Sequence, residues 1–364
     1  MLTRGTPKRN AEAIAKEVES MAGSLNASSG RTHFTLSGKV LSRFQERYLE
    51  LFLDVLLHPT FDPEEMEKER RDILMALKNQ EDSPATVAFR TFAHALYRDH
   101  PLGKDPLGNP ASIKRLRAED LKSLYEKYAR SKGLTISVVG DVKAGQVITA
   151  FSTGLFTLPQ GLGLKPEIPA PVPPRKITKE TKTIVGKEQT HLLLGFLATT
   201  VKDEDRYPLM VLTNILSNMG GRLFVELRDN RSLAYALTAL LSEGLYDRGY
   251  FAVYLACQPQ KVPEAVAATL DELKKVLDQG VTEEEVFRAK SFIIGNHRIG
   301  LQGTSAMAST LAFNEAYGLG YNFYLVFPEK IESVGRDDVL RVARKYLTLD
   351  RYTLAVVEPG GRER

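Results

Sequence analysis

Ala118–Asp141 reads AEDLKSLYEKYARSKGLTISVVGD, and Arg336–Pro359 reads RDDVLRVARKYLTLDRYTLAVVEP. Laid over each other at a shift of 218 residues (336 minus 118), they match without a gap. Asp120 pairs with Asp338, Lys127 with Lys345, Tyr128 with Tyr346, Thr135 with Thr353, and Val138–Val139 with Val356–Val357. In the first stretch Leu121, Leu124, Tyr125 and Tyr128 recur at i, i+3, i+4 and i+7, which is one face of a helix. Leu134–Val139 then forms a short β-branched run with strand character. A chance match of one helix–strand unit is the alternative. An internal repeat at this distance instead makes the chain two copies of one mixed unit.

Between the copies lies a boundary. Six of the eighteen prolines fall between Pro159 and Pro174, together with Gly161 and Gly163. Proline fixes φ and removes backbone donors, so this stretch reads as a semi-rigid linker, with a long surface loop as the other possibility. The partition is then an N-terminal domain over 1–157, a linker over 158–176 and a homologous C-terminal domain over 177–364. The second domain opens with strand residues near Lys182, whose counterpart at the same shift is −36 (182 minus 218). The first copy is therefore expected to lack its opening strands, with Met1 matching Met219 deep inside a repeat.

Working outward, local signals fit an α+β fold. Asp62-Pro63-Glu64-Glu65 supplies an N-cap, a first-position proline and first-turn acids, and Ser83-Pro84 does the same ahead of Ala85–Tyr97. Val266, Leu270, Leu273 and Leu277 stripe a helix closed by Gly280, and Thr282 with Glu285 reads as a capping box. Leu192–Leu194 and Tyr250–Ala256 read as strands. Each domain is expected to be a mainly antiparallel sheet with helices packed on one face.

Composition narrows the function classes. With 43% hydrophobic and 26% charged residues the chain can build ordinary cores, and no apolar run approaches the ~20 residues of a membrane span. The net charge of +4 comes from interleaved signs, which argues against a nucleic-acid surface. One cysteine, Cys257, excludes an intramolecular disulfide and cysteine-rich metal sites.

Motifs for chemistry are sparse. No two of the six histidines stand at i, i+4, and HExxH and HxxEH are absent, as are GxSxG, GxxxxGK[ST] and GxGxxG. Cys257 ends an apolar strand and reads as a small buried hydrophobe. Gly220-Gly221-Arg222 is a weak candidate for anion binding at a helix start. One junction stands out, Gly220–Tyr235, where a helix passes into a strand and Arg228 and Tyr235 lie seven residues apart. A guanidinium and a phenol there could converge on a carbonyl oxygen or an oxyanion. A surface arginine beside a half-buried strand tyrosine is the plainer alternative.

These stretches resemble the pitrilysin/insulinase family of zinc metallopeptidases over nearly the whole chain. Met-Leu-x-x-Gly-Thr-x-x-Arg at Met1–Arg9 is similar to the family segment that follows its HxxEH motif. Gly23-Ser24-Leu25-Asn26-Ala27-Ser28 is similar to a family strand, and Glu81–Pro84 and Tyr97-x-x-His100-Pro101-Leu102-Gly103 follow in order. Glu188-Gln189, Asp205-Arg206-Tyr207, Gly220–Phe224 and Leu227-Arg228 through Tyr235 resemble its C-terminal domain. The resemblance implies two homologous α+β domains, and two such halves closing around a peptide, one of them bearing zinc.

The chain departs from an active member in two ways. HxxEH would fall before Met1, and the downstream glutamate ligand would fall in Glu69–Lys78 (ERRDILMALK), where Met75-Ala76 stand instead. Neither of those side chains ligates zinc. By resemblance Arg228 and Tyr235 match a substrate-contacting arginine–tyrosine pair, and Asn26 and Ala27 match a strand that pairs with peptide backbone. The expectation is a zinc-free, non-catalytic half or subunit of a metalloendopeptidase. It binds no cofactor itself, meets zinc in a partner half, takes peptide as substrate, and has no nucleic-acid partner and no membrane span. Its rivals are a truncated active zinc peptidase of the same family and a purely structural scaffold subunit. Localisation is open within a soluble, bacterial-type cytoplasmic or periplasmic setting.

Overall fold

A computed structural model describes residues 1–161 and 168–360. Gly163 and Pro166 of the expected linker lie outside the described residues. Helix starts fall where their caps predict. Asp62 Oδ1 accepts from the Glu64 and Glu65 amides at 2.8 and 3.1 Å, and Thr282 and Glu285 exchange capping bonds at 2.8 and 3.2 Å. Gly280 ends its helix with φ +73°, a conformation that costs a side-chain-bearing residue.

The helices are α1 Ala11–Ser20, α2 Gln45–Leu57, α3 Pro63–Glu81, α4 Pro84–Tyr97, α5 Pro110–Arg115, α6 Ala118–Tyr128 and α7 Ala144–Leu155, followed by α8 Arg206–Leu216, α9 Val262–Gln279, α10 Glu283–Gly300, α11 Thr304–Ala316, α12 Phe323–Glu332 and α13 Arg336–Tyr346. The strands are β1 Ser24–Ser29, β2 Phe34–Lys39, β3 Thr178–Val185, β4 Thr190–Leu197, β5 Ala236–Ser242, β6 Tyr250–Cys257 and β7 Thr353–Gly360. The 218-residue shift runs through this order. Shifted by 218, α2 to α6 overlap α9 to α13 in turn, β2 falls within β6, and α6 lands residue for residue on α13.

Two compact units result, and they interleave along the chain. The first comprises Met1–Lys78, Pro106–Glu167 and Leu301–Tyr321; the second comprises Asn79–Asp105, Ile168–Gly300 and Asn322–Arg364. The fourth helix of each copy thus sits in the other copy's unit: α4 belongs to the second and α11 to the first.

In the first unit β1 and β2 form an antiparallel hairpin. Ile14 and Val18 of α1, Met21, and Tyr48, Leu51 and Val55 of α2 build its core. Tyr48 Oη donates to the Ser24 carbonyl at 2.7 Å, and its hydroxyl fills the space that a Cβ on Gly38 would need. The Gly5-Thr6…Arg9 motif has a structural task here. Thr6 Oγ1 and Arg9 Nη1 both donate to Asp54 Oδ2 at 2.8 Å, and Arg9 Nε bonds Glu17 at 2.8 Å. Burial would push the Asp54 carboxyl up, but the bonds from Thr6 and Arg9 outweigh it and hold it below the usual range.

The second unit holds a five-stranded sheet in the order β3-β7-β4-β6-β5, antiparallel except for the β3–β7 pair. Leu192, Leu194 and Phe196 of β4 point into a core with residues of α8, α9, α10, α12 and α13. The expected cover on one face is therefore present, and a second cover lies opposite. Leu193 and Leu197 meet Ala88, Phe92, Leu96 and Tyr97 of α4. The cause is in β4, THLLLGFL, which is apolar on both parities, the pattern of a strand buried on both sides. Gly195 makes room for that helix, since a Cβ there would stand 2.7 Å from the Phe92 ring.

One expected strand does not form. Leu134–Val139 makes no strand pairing among the described residues, although its counterpart β7 is paired on both sides. A strand needs neighbours for its amides and carbonyls. Among the described residues no strand lies beside 134–139 to supply them.

Candidate functional site

The junction singled out in the sequence lies in the second unit. Arg222 and Leu223 begin as α-helix, and Phe224–Asn230 widen into a π-helical turn, a feature frequent at functional sites. Its wide turns are visible in the Arg231 amide bonding Glu226 O at 3.2 Å and the Leu233 amide bonding Leu227 O at 2.7 Å. Ser232 follows with φ +49°, left-handed without being glycine, and the Tyr235 amide then joins the sheet on Ala256 O at 2.8 Å. Such strain persists only where the surroundings enforce it. Here the ammonium of Lys261 grips the Ser232 carbonyl at 2.9 Å.

Arg228 sits on the π-helical turn, exposed, with its guanidinium 4.6 Å from the centre of the Phe224 ring. Stacking on an aromatic ring limits the freedom of a long side chain while leaving its N–H groups available. Tyr235 stands immediately before β5 and is 57% exposed. Its Oη accepts from Gln258 Nε2 at 3.0 Å, and both residues line an open cleft of about 390 Å³ with Lys187, Glu188, Gln189 and Gln260. Gln258 and Lys261 were not singled out from the sequence. They follow β6, more than twenty residues along the chain from what they hold, and only strand pairing brings them there.

Asn26 and Ala27 lie in the other unit, exposed on β1 and paired across to Ser37 and Leu36 of β2. The remaining candidates have structural partners. Arg222 makes a two-pronged bond to Glu285 at 2.6 and 2.7 Å, so Gly220-Gly221-Arg222 is tied to a helix cap. Cys257 is fully buried, and burial pushes its thiol up to about 11, far from a thiolate nucleophile at neutral pH. His191 bonds Tyr254 Oη at 2.7 Å and burial lowers its pKa, while His297 bonds the Tyr324 carbonyl at 2.9 Å.

Residues 1–110 match the model of insulinase, peptidase family M16, and residues 115–292 match that of the peptidase M16 inactive domain. The chain belongs to peptidase family M16. An uncharacterized zinc protease of Streptomyces coelicolor is 28% identical over 99% of this M16 chain and 79% of its own length. The uncharacterized zinc protease YmxG of Bacillus subtilis is 28% identical over 99% of the chain and 87% of its own. Among solved structures, a peptidase M16 inactive domain from Pseudomonas fluorescens shares the fold with a TM-score of 0.88 at 22% identity, covering 100% of this chain and 88% of that one. A protease from Helicobacter pylori superposes with a TM-score of 0.86 at 20% identity, over 98% and 87%.

The family's zinc can be tested against the residues present. On α3, where the resemblance places a glutamate ligand, Met75 is 61% exposed and Ala76 carries only a methyl group. Among the described residues no three His, Cys, Asp or Glu side chains are grouped to hold a metal ion. Neither Met75 nor Ala76 offers a side-chain donor that could take up that ligand position. No helix among them is long and apolar enough to cross a membrane.

Proposed function

We propose that this M16 chain acts as a zinc-free half or subunit that presents Arg228 and Tyr235 to a peptide and requires a zinc-bearing partner half for cleavage. Met75-Ala76 on α3 is the observation that carries the reading, because it removes a ligand position from within the chain itself. The two halves at 1–157 and 177–364 serve as homologous domains, supported by the coincidence of helices at the 218-residue shift.

The roles follow from the junction. Arg228, stacked on Phe224, offers charged N–H donors, and the phenol of Tyr235 offers one proton at the cleft. Both suit peptide carbonyl oxygens and the negative charge that grows on one during attack. Neither is a nucleophile or proton carrier in this scheme. Asn26 and Ala27 on β1 form a second candidate contact, through strand addition to peptide backbone.

The test is metal analysis of the purified chain, followed by peptide hydrolysis in the complex isolated with its natural partner. The chain alone is expected to hold well under one zinc. Arg228→Ala and Tyr235→Phe should each lower kcat/KM of the complex about tenfold, the loss of one preorganised hydrogen bond, with its zinc content unchanged. One zinc bound per isolated chain would restore the truncated-peptidase reading. A complex with no turnover would favour the scaffold.

A further inference from the structure

The cleft beside Tyr235 contains a second device, and it rests on the reading that Tyr235 contacts peptide. We infer that Gln258 is a positioning residue that holds the phenol oxygen of Tyr235 as an acceptor, so that the phenol proton is kept for a carbonyl of the bound peptide.

A phenol has one proton to donate and can also accept, whereas an amide NH₂ can only donate. Gln258 Nε2 lies 3.0 Å from Tyr235 Oη, so this bond occupies an acceptor site and leaves the proton unspent. The proton is then available to the cleft that both residues line with Lys187, Glu188 and Gln189 of the β3–β4 turn. The backbone that carries the amide is well anchored. It directly follows Cys257, which is fully buried and pairs with Thr190 of β4, while the Tyr235 amide is tied to Ala256 of the same strand at 2.8 Å. Three residues further on, Lys261 holds the carbonyl of the strained Ser232. The short segment after β6 thus grips the Arg228–Tyr235 junction twice, at its turn and at its phenol. This limits the rotation that would otherwise be lost on binding peptide.

The assignment makes Gln258→Glu the informative change. The shape is retained, but a carboxylate can only accept, so it takes the phenol proton away from the cleft. Binding of a fluorescein-labelled, unstructured 20-residue peptide to the full chain is read by anisotropy. Gln258→Glu and Tyr235→Phe should each weaken it about 5-fold, the worth of one hydrogen bond. Combined, they should be no worse than Tyr235→Phe alone, and Gln258→Leu, which leaves the proton free, should cost about 2-fold. In chain labelled with ¹³C at tyrosine Cζ, the Tyr235 resonance, assigned by its loss in Tyr235→Phe, should move with Gln258→Glu.

A Gln258→Glu effect that persists undiminished in the Tyr235→Phe background would overturn the positioning role, as would a silent Gln258→Glu when Tyr235→Phe weakens binding. If Tyr235→Phe binds like the wild type, or the wild type does not bind, the peptide-contact reading itself fails and this inference falls with it.

Discussion

The α6 segment and the α13 segment share a sequence pattern and differ in what surrounds them. Leu121, Leu124, Tyr125 and Tyr128 occupy the positions that Val339, Val342, Ala343 and Tyr346 occupy one repeat later. On α13 all four are buried, against α8, α9 and the β7 sheet that follows. On α6 none is, and Leu124 and Tyr128 are 53% and 41% exposed. The strands behave alike: Val356 and Val357 of β7 are buried, whereas Val138 is exposed. Periodicity therefore says which side of a helix is fit for burial; a second surface has to be present before burial happens. In the second unit β4 and β3 provide it for β7, and no such strands stand beside Leu134–Val139 among the described residues.

Hydrogen exchange should break this comparison most sharply. Amides inside β7 are expected to exchange only through global opening, slowed by several thousandfold or more for a typical stability of about 5–15 kcal/mol, and those of 135–139 to exchange at near-open rates. Equal protection in the two stretches would show that Leu134–Val139 is covered after all. Next in size is a pair of substitutions. Val342→Asp places an unpaired charge in a filled core and should cost about 4 kcal/mol or more, enough to lose the cooperative urea transition of the second unit. Leu124→Asp should stay within about 0.5 kcal/mol. A cost at Leu124 rivalling that at Val342 would reveal a partner surface on α6.

The double cover of β4 yields a somewhat smaller effect. Phe92→Ala empties the site between α4 and Gly195 and should cost about 3–4 kcal/mol in denaturant unfolding. A loss under about 1 kcal/mol would mean that α4 contributes little to the sheet it lies on.

Smallest is the ion network that ties α13 to α8. Arg341, Lys345 and Tyr346 bond the buried Asp205 at 2.6, 2.5 and 3.0 Å. Burial opposes ionisation of Asp205, but bonds from Lys345 and Arg341 outweigh it and hold its pKa below the usual value. A lowered folded pKa stabilises fully above the unfolded value of about 3.9 and loses that contribution as pH falls through the folded one. Arg341 and Lys345 are half-exposed, which discounts the ionic part. Asp205→Asn should then cost about 1–2 kcal/mol at pH 7, with the gap from wild type narrowing below about pH 4. Among the described residues α6 shows no matching network: the counterparts of Arg341, Lys345 and Tyr346 are Ser123, Lys127 and Tyr128, and its Tyr125 donates to the Leu56 carbonyl instead. A gap that is constant from pH 7 to 3 would remove Asp205's charge from the account.

Much of the fold was legible because its signals are local. Caps at Asp62, Ser83 and Thr282, the stop at Gly280 and the shift of 218 residues are all carried by nearby side chains or by repetition. Both parities of THLLLGFL were apolar in the sequence as well, yet the covering helix α4 comes from a hundred residues earlier. The junction with Arg228 and Tyr235 was also readable, being contiguous. The π-helical turn was not, nor were the strain at Ser232, whose carbonyl Lys261 holds, and the cleft that Gln258 lines beside Tyr235, because both residues arrive from β6.

By itself, then, the sequence determined the element types, the repeat, the M16 kinship and the Met75-Ala76 pair on α3, since all four reside in residue identity and spacing. Tertiary structure alone decided which of two equivalent helices is buried, whose sheet α4 covers, and which amide holds the Tyr235 phenol. Burial and long-range hydrogen bonds are properties of pairs of surfaces, and one surface's sequence does not contain its partner.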